Sequence, residues 1–324
     1  MTTDLSKEPP PSAPAPAPPA KPVVQRGDRI FSGLATGSGS LILLVLAAVA
    51  AFLLIQAAPA LVAPAEDIPG DGGLVVYIWP LVFGTLLSAF IALLVATPLA
   101  VAVALFITHF APRRLSQGLG YLIDLLAAVP SIVYGLWGIA VLAPATVPMM
   151  TWLQDNLGFI PLFAGPVSST GRTMLVVGLV LAVMILPIIT SVSREVFLQT
   201  PKLHEEAALA LGATRWEMAR LAIFPYARSG IVSAAMLGLG RALGETLAVA
   251  MVLSATSGVV TANLISSTNP STIAANIALS FSEASGLSVN ALIASGLVLF
   301  VITFLVNFAA RAIVDRRKEF SGAN

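Results

Sequence analysis

The sequence of 324 residues contains no cysteine and only two histidines, His109 and His204. The lack of cysteine excludes disulfides, thiol catalysis and cysteine-ligated metal sites. The two histidines are far apart in the sequence and stand in unlike surroundings, so we expect no metal site. No Gly-Lys pair occurs in the chain, so it has no P-loop for ATP and we expect it to bind no cofactor itself. No Ser-His-Asp constellation is indicated either, and we predict that the chain is not an enzyme.

Charged residues are also scarce. They make up 10% of the chain, compared with about 25% in soluble domains, whereas 57% of residues are hydrophobic and the mean hydropathy is +0.92. This composition predicts an all-α integral membrane protein. A transmembrane helix needs about 20 mostly apolar residues. Six segments meet this requirement, at 39–61, 75–107, 119–142, 173–193, 229–256 and 289–312.

The composition divides the chain into four regions. Residues 1–28 are rich in proline and alanine, cannot build a core, and are expected to stay disordered. Residues 29–62 contain the first transmembrane helix. Residues 63–317 form the core, which includes a polar loop at 194–228. Residues 318–324 form a short tail.

The basic residues predict the orientation of these helices. Fifteen of the seventeen lie on one side of a six-helix arrangement, including those of the 194–228 loop. The other side carries several acidic residues and a single arginine, Arg172, while Arg241 lies within a helix. Because cytoplasmic loops carry an excess of lysine and arginine, we predict that both termini and the 194–228 loop are cytoplasmic.

The polar segment at 201–225 lies between two strongly apolar segments. Thr200 is expected to cap a helix with Pro201 in its first position. This helix is predicted to end at Leu211, with Gly212 as its stop signal.

A second short helix is predicted directly after this stop. Thr214 and Glu217 form a T-x-x-E capping box, and Pro225 is expected to interrupt the helix. The segment is therefore predicted to be a bent helical hairpin, which is either an ordinary connection or a docking element.

Two charges of the fifth apolar segment, Arg241 and Glu245, are four residues apart and would share one helical face. Since a charge near the bilayer centre costs about 2.5–3.5 kcal/mol, we expect the two to pair and to face the bundle interior. They form either a structural ion pair or an anion site. A guanidinium has a fork of donors suited to phosphate or carboxylate, and Glu245 could accept a proton from hydrogen phosphate but not from sulfate.

The same segment carries a stripe of small residues, Gly230, Ala234, Gly238 and Ala242. This spacing allows another helix to approach closely. The partner helix could belong to this chain or to a second subunit.

Residues 127–138 read AAVPSIVYGLWG and lie in the third apolar segment. Pro130 loosens the helix, and Ser131 places a hydroxyl where backbone groups are freed. Such a break is tolerated where it lines a cavity, so Ser131 is a candidate for the substrate path.

A short amphipathic helix is predicted in the loop after the fifth segment, because Ile273, Ile277 and Phe281 recur every four residues. It is either a packing element that plugs the bundle or a contact for an extracytoplasmic partner.

The hairpin resembles the EAA signature of ABC importer permeases, whose cytoplasmic loop inserts into a cleft on the ATPase. Pro225 falls at the spacing of that family's Ile-x-Leu-Pro, although Ala222 and Phe224 replace its Ile and Leu. The resemblance implies that the following residues couple to an ATPase: Glu205, Glu206, Ala207, Ala208, Gly212 and Pro225.

Three segments, SREVFLQTPKLHEEAALALGATRWE, AAVPSIVYGLWG and GLGRALGETLAVAMV, resemble the PstC-type permease subunits of bacterial phosphate importers, over roughly residues 70–317. This resemblance implies a type I importer permease with a MetI-like six-helix core in the bacterial cytoplasmic membrane. It also implies that Arg241 and Glu245 take part in phosphate movement.

The same resemblance implies a set of partners. They are a PstA-type permease, a dimeric PstB-type ATPase that binds ATP and magnesium, and a PstS-type phosphate-binding protein. Nucleic acid is not among the expected partners. Three alternatives stay open: a permease for sulfate, molybdate or a related oxyanion, an ion-coupled symporter with Glu245 as proton carrier, and a membrane scaffold.

Overall fold

The computed structural model describes residues 26–70 and 72–318, with side chains described from residue 27 to residue 312. Most of the proline- and alanine-rich tail predicted for 1–28 lies outside these residues. Residues 26–28, however, are helical and not part of a tail. Of the predicted C-terminal tail, residues 319–324 lie outside the described residues, and Lys318 is the last residue of a helix.

The described residues form twelve α-helices. In chain order they are α1 Arg26–Val62, α2 Gly73–Leu105, α3 Arg113–Ala127, α4 Ser131–Trp137, α5 Ala143–Leu157, α6 Met174–Leu198, α7 Lys202–Ala210, α8 Arg215–Met218, α9 Phe224–Leu243, α10 Leu247–Val252, α11 Ile273–Ser280 and α12 Leu287–Lys318. π-Helical turns extend α2, join α4 to α5 and join α8 to α9, at Phe106–Phe110, Gly138–Leu142 and Ala219–Ile223.

The chain divides at Ala50 into two units, and the first described part is α1 up to that residue. All the other helices belong to the second unit. In the described parts of the chain, six helical stretches are long and apolar enough to cross a membrane. They are Gly27–Val62, Gly73–Phe110, Ser131–Leu157, Met174–Leu198, Arg215–Leu243 and Leu287–Ala312. The predicted number of spans is confirmed.

The third span lies further along the chain than the sequence indicated. It was predicted at 119–142, but it begins at Ser131 and runs to Leu157. Pro130 separates it from α3, because proline has no amide to donate and disfavours helical geometry in the residue before it. The two parts stay connected, since the hydroxyl of Tyr134 donates to the carbonyl of Leu126 at 2.8 Å.

The fifth span is also displaced from its predicted position at 229–256. Its helix is continuous from Arg215 to Leu243 and then stops. A separate helix, α10, resumes at Leu247. The fifth apolar segment is therefore a long helix followed by a short one, with a break at residues 244–246.

The core of the second unit is built around α6, which packs against α2 and α9. The small residues of α9 face this helix. A Cβ added to Gly230 would lie 2.5 Å from the side chain of Val196, and one added to Gly238 would lie 2.8 Å from that of Ile189. The predicted close approach is confirmed, and the helix that approaches is α6 of the same chain.

The two ends of α6 define two ends of the bundle. Arg172 comes just before α6, and the 201–225 hairpin comes just after it, so they lie at opposite ends. We call these the Arg172 end and the hairpin end.

The short helix α11 connects to the bundle near the Arg172 end. Ile273 is fully buried, and its amide donates to the hydroxyl of Thr85 in α2 at 3.0 Å. Phe281, just beyond the helix, is 55% exposed. The predicted helix is confirmed, and its contacts with α2 and α12 agree with a packing role.

Candidate functional site

The first half of the hairpin is α7, which ends in a sharp bend at Gly212. This residue has φ of +84°. Nothing lies within 4 Å of a Cβ added there, so the backbone conformation is what favours glycine. The predicted stop signal is therefore confirmed, although α7 ends at Ala210.

The predicted start of α7 is wrong. Pro201 occupies the N-cap position and the helix begins at Lys202. The hydroxyl of Thr200 is buried and has no hydrogen-bond partner among the residues that the structure describes. It therefore does not cap the helix.

The predicted capping box of α8 is confirmed. The amide of Thr214 donates to the carboxylate of Glu217 at 2.8 Å, and the amide of Glu217 donates to the hydroxyl of Thr214 at 3.3 Å. These reciprocal bonds satisfy two amides that a helix start leaves without partners. Both residues are exposed, so the box fixes the bend locally.

The prediction that Pro225 interrupts this helix is wrong. A π-helical turn at Ala219–Ile223 precedes it, and Pro225 lies at the start of α9. Because proline has no amide and its ring crowds the preceding turn, the wider turn accommodates it without a break. The hairpin is therefore continuous with the helix that carries Arg241, over Arg215–Leu243. At 1.5 Å per residue this helix is about 43 Å long.

Buried apolar side chains attach the hairpin to the bundle. Met218 and Ile223 pack with Phe197 of α6 and with Leu105 of α2. The ring of Phe224 meets that of Phe197 edge to face, with centroids 6.0 Å apart. This side of the hairpin is therefore packed on α2 and α6.

The opposite side of the hairpin is apolar and exposed. Leu203 is 76% exposed and Leu211 is 91% exposed. Both line a groove of about 1000 Å³ together with Ala207, Ala208 and Gly212 of the EAA-like segment. Glu206 is exposed beside it. Exposed apolar area of this kind marks a surface for another protein.

A polar contact links the hairpin to α2. Nε2 of His109 lies 3.4 Å from a carboxylate oxygen of Glu205, and Nδ1 of His109 lies 2.6 Å from the hydroxyl of Thr108. His109 belongs to the π-helical turn that ends α2. Glu205, which precedes the EAA-like residues, is therefore in contact with a transmembrane helix.

The expected pairing of Arg241 with Glu245 does not form. Because α9 ends at Leu243, Glu245 no longer lies one helical turn above Arg241. The carboxylate of Glu245 is buried and accepts a hydrogen bond from the amide of Ala248 at 3.0 Å. Arg241 is exposed and makes no hydrogen bond or ion pair with any residue in the described parts of the chain.

The segment that carries Ser131 packs directly on α10. A Cβ added to Gly135 would lie 3.0 Å from Cα of Ala248, and one added to Gly138 would lie 3.0 Å from the side chain of Val252. Ser131 is half-buried at the first position of α4. The fold thus brings together two segments about 110 residues apart in the sequence.

Arg241 lies beside this contact. Its guanidinium is within electrostatic range of the phenol of Tyr134 in α4. The start of α10 therefore lies against α4, and Arg241 makes no hydrogen bond or ion pair there with the described residues. Glu245 is held at the start of α10 by its bond to the amide of Ala248, and Ser131 lies one turn before Gly135 in α4.

Sequence reasoning missed two residues at the Arg172 end. The guanidinium of Arg172 donates to the carbonyls of Met251, Val252 and Leu253 at 2.8, 3.2 and 3.5 Å. The fully buried amide group of Asn269 donates to the carbonyl of Arg172 at 3.3 Å. The sequence did contain a feature that could have identified Arg172, because it is the single basic residue on its side of the predicted six-helix arrangement.

Comparison with known proteins gives matches over most of the chain. Residues 96–319 match the family described as binding-protein-dependent transport system inner membrane component. The chain is 48% identical over 300 residues to the phosphate transport system permease protein PstC 2 of Mycobacterium tuberculosis, covering 89% of this chain and 92% of the relative.

Two further relatives carry related names. The PstC permease protein of Mycobacterium leprae is 46% identical over 94% of this chain and 98% of its own length. That of Haemophilus influenzae is 41% identical over 74% of this chain and 76% of its own. Among solved structures, the chain is similar to an inward-facing MetNI methionine ABC transporter, with a TM-score of 0.47 and 19% identity over 75% of this chain and 95% of that one.

Proposed function

Since the chain belongs to the family of binding-protein-dependent transport system inner membrane components, we propose that it is the permease subunit of an ATP-driven importer of inorganic phosphate. The observation that carries this proposal is the identity of 46–48% with named PstC permeases over nine-tenths of the chain. The unpaired guanidinium of Arg241 supports it.

The assembly that we propose has this chain as one half of the translocation path. A PstA-type permease supplies the other half, a dimeric PstB-type ATPase binds ATP and magnesium, and a PstS-type protein delivers phosphate from outside. The exposed groove of the hairpin supports the ATPase contact. In this proposal the chain carries out no hydrolysis itself and holds no metal or cofactor.

The hairpin end and both termini are cytoplasmic in this proposal. The excess of basic residues at the hairpin end supports this orientation, and it places the EAA-like segment where a cytoplasmic ATPase can reach it. The Arg172 end then faces outward, toward the binding protein, in the bacterial cytoplasmic membrane.

Movement of the hairpin is passed to the path by two connections. The continuous helix Arg215–Leu243 carries it directly to Arg241. The contact between Glu205 and His109 carries it to α2. Since packed helices move as rigid bodies, closure of the ATPase rocks these elements together around the central site.

Arg241 binds the anion in this proposal. Its fork of donors matches a phosphate in geometry as well as charge. Glu245 uses one carboxylate oxygen for the amide of Ala248, and its other oxygen makes no hydrogen bond with the described residues. That oxygen can accept a proton from hydrogen phosphate, whereas fully ionised sulfate offers none. Ser131 adds a hydroxyl at the start of α4.

The experiment that tests the proposal is labelled-phosphate uptake into cells that carry the chain with its ATPase and permease partners. We expect uptake that requires the ATPase and resists excess sulfate. The matched control is a complex in which the ATPase cannot hydrolyse ATP, with this chain unchanged.

Two other outcomes would replace the proposal. Uptake that sulfate or molybdate inhibits as strongly as unlabelled phosphate would indicate a broader oxyanion permease. Uptake that continues without the ATPase would indicate an ion-coupled symporter, and no flux of any oxyanion through an assembled complex would indicate a scaffold.

A further inference from the structure

The short helix α10 is held at both ends by charged side chains. At its start, the carboxylate of Glu245 accepts from the amide of Ala248 at 3.0 Å. At its end, Arg172 donates to three consecutive carbonyls, those of Met251, Val252 and Leu253. A carboxylate at the start and a guanidinium at the end both match the helix dipole.

These contacts matter because α10 has little stability of its own. It contains six residues and is about 9 Å long, whereas isolated helices shorter than about 12 residues are marginal even in favourable sequences. Its position therefore depends on tertiary contacts, which include packing on α4, α6 and α11 and the bonds at its two charged ends.

Arg172 is itself fixed in place. Its carbonyl accepts from the side-chain amide of Asn269 at 3.3 Å, and the side-chain oxygen of Asn269 accepts from the amide of Met174 at 3.0 Å. Asn269 is fully buried. Arg172 thus joins α10 to the start of α6, the most deeply packed helix of the bundle.

The start of α10 carries Glu245, which is part of the proposed anion site. Glu245 accepts from the amide of Ala248, and it lies four residues after Arg241, the spacing at which two charges pair if the helix continues. While α10 stays in place, one oxygen of Glu245 is bonded to that amide, which holds the carboxylate at the start of α10, and it forms no ion pair with Arg241 in the described structure. If α10 shifted, that bond would be lost, and the carboxylate would be free to pair with Arg241 at helical spacing.

We propose that Arg172 is a positioning residue for the anion site. By anchoring α10 it keeps Glu245 on the amide of Ala248, and Arg241 therefore stays free for the substrate. This inference rests on the proposed function, because it assumes that Arg241 binds the transported anion.

The position of α10 can be measured without transport. The chain has no cysteine, so Val252→Cys introduces a single thiol in a side chain that is fully buried against Gly138. In the assembled transporter, the rate at which a membrane-impermeant thiol reagent modifies this chain reports the opening of α10. Arg172→Ala is expected to raise that rate by about tenfold or more, as for local unfolding.

The comparison includes two further variants in the same Val252→Cys background. Arg172→Lys should give an intermediate rate, because one ammonium does not reproduce the guanidinium fork. Arg311→Ala is the matched control, since Arg311 is an exposed arginine of α12, and it should leave the rate unchanged. A rate for Arg172→Ala within about twofold of the parent would overturn the anchoring of α10. If Arg172→Ala does not assemble, the Lys variant decides in the same way.

A second measurement tests the link to Glu245. Arg172→Ala should lower phosphate uptake by about tenfold when residue 245 is Glu. In a Glu245→Gln background, whose own uptake is lower because Glu245 belongs to the proposed anion site, it should lower uptake by less than about twofold relative to the Glu245→Gln single variant. Glutamine still accepts from the amide of Ala248 and cannot neutralise Arg241. An equal loss in both backgrounds would show that Arg172 acts on stability alone and would overturn the proposal.

The two measurements separate this inference from the proposed function. If the unmodified complex transports no phosphate while thiol modification depends on Arg172, the proposed substrate is wrong and the anchoring of α10 stands. If the unmodified complex takes up phosphate normally and Arg172→Ala does not change that uptake, the proposed function stands and the positioning role is wrong.

Discussion

The imidazole of His109 and the carboxylate of Glu205 lie 3.4 Å apart and connect the last turn of α2 to the first helix of the hairpin. The two residues are 96 positions apart in the sequence. His109 is also in contact with Thr108, whose hydroxyl lies 2.9 Å from the carbonyl of Ala104. The contact therefore extends from the surface hairpin into the backbone of a transmembrane helix.

Loss of the contact between His109 and Glu205 should weaken the coupling of phosphate transport to ATP hydrolysis and leave the fold intact. We expect Glu205→Gln and His109→Ala each to reduce phosphate uptake about fivefold, equivalent to about 1 kcal/mol for a partly buried polar pair. ATP hydrolysis should continue in both variants, because neither residue lines the groove that is proposed to bind the ATPase. The measurement is the ratio of phosphate moved to ATP hydrolysed. A double variant that loses as much as the product of the two single losses would show that the residues act independently.

The unpaired state of Arg241 predicts a specific loss on substitution. Arg241→Ala should reduce uptake by about a hundredfold, since the anion loses a charged bidentate donor worth about 3 kcal/mol. Arg241→Lys should also impair uptake, because an ammonium is a point charge. Assembly with the partners should be normal, because Arg241 makes no hydrogen bond or ion pair with the described residues that its removal would break. Uptake with normal affinity in Arg241→Ala would mean that the residue is not part of the path.

The conformation of Gly212 predicts an effect on the ATPase. Gly212 has φ of +84°, a backbone conformation that alanine adopts less readily. Gly212→Ala should therefore strain the bend by about 1 kcal/mol and misplace the EAA-like segment. We expect weaker retention of the ATPase on the purified membrane complex and lower uptake. Gly118→Ala is the matched control, because Gly118 lies in α3 with open space around it and ordinary φ. Unchanged retention in Gly212→Ala would argue against a role of the bend in coupling.

Close packing between α4 and α10 predicts sensitivity at Gly135. A Cβ there would lie 3.0 Å from the backbone of Ala248, so Gly135→Val should force the two helices apart. Overpacking of this kind costs about 1–3 kcal/mol. The expected result is a lower midpoint of thermal unfolding for the purified complex. Gly240→Val is the matched control, because nothing lies within 4 Å of a Cβ added at Gly240. A similar decrease in the unfolding midpoint for Gly240→Val would indicate an effect of helix propensity and not of overpacking.

The capping box offers a test of local stability in the hairpin. Thr214→Ala removes an acceptor for the amide of Glu217 and should cost about 1 kcal/mol. Because the box is exposed and lies outside the buried cluster around Phe197, the rest of the chain should keep its stability. Faster hydrogen exchange confined to α8 would agree with this, whereas faster exchange throughout α9 would show that the cap supports the whole helix.

Some of the site was accessible from the sequence because it depends on neighbouring residues. The bend at Gly212 and the box of Thr214 and Glu217 follow from backbone preferences and caps that act over a few positions. The stop of the hairpin helix was therefore predicted correctly, and so was the short helix that begins at Ile273. The cap at Thr200 was wrong because Pro201 takes that position and leaves the hydroxyl buried without a partner.

Other features depended on which distant segments meet. The prediction that Arg241 pairs with Glu245 assumed a continuous helix. The helix instead ends before Gly244, and the carboxylate of Glu245 accepts a hydrogen bond from the amide of Ala248. The prediction for Pro225 failed for the opposite reason, since a π-helical turn keeps that helix continuous. Neither outcome is encoded in the residue spacing alone.

The sequence by itself determined that this protein is a six-span helical membrane protein with a bent polar hairpin, because apolar length, charge asymmetry and helix caps act locally or through the bilayer. The tertiary structure decided that α4 packs on α10, that Arg172 donates to three carbonyls at the end of α10, and that Arg241 has no hydrogen-bond or ion-pair partner among the described residues. Those relationships arise from contacts between segments about 80 to 110 residues apart, where close packing and hydrogen-bond geometry select one partner among several that local spacing allows.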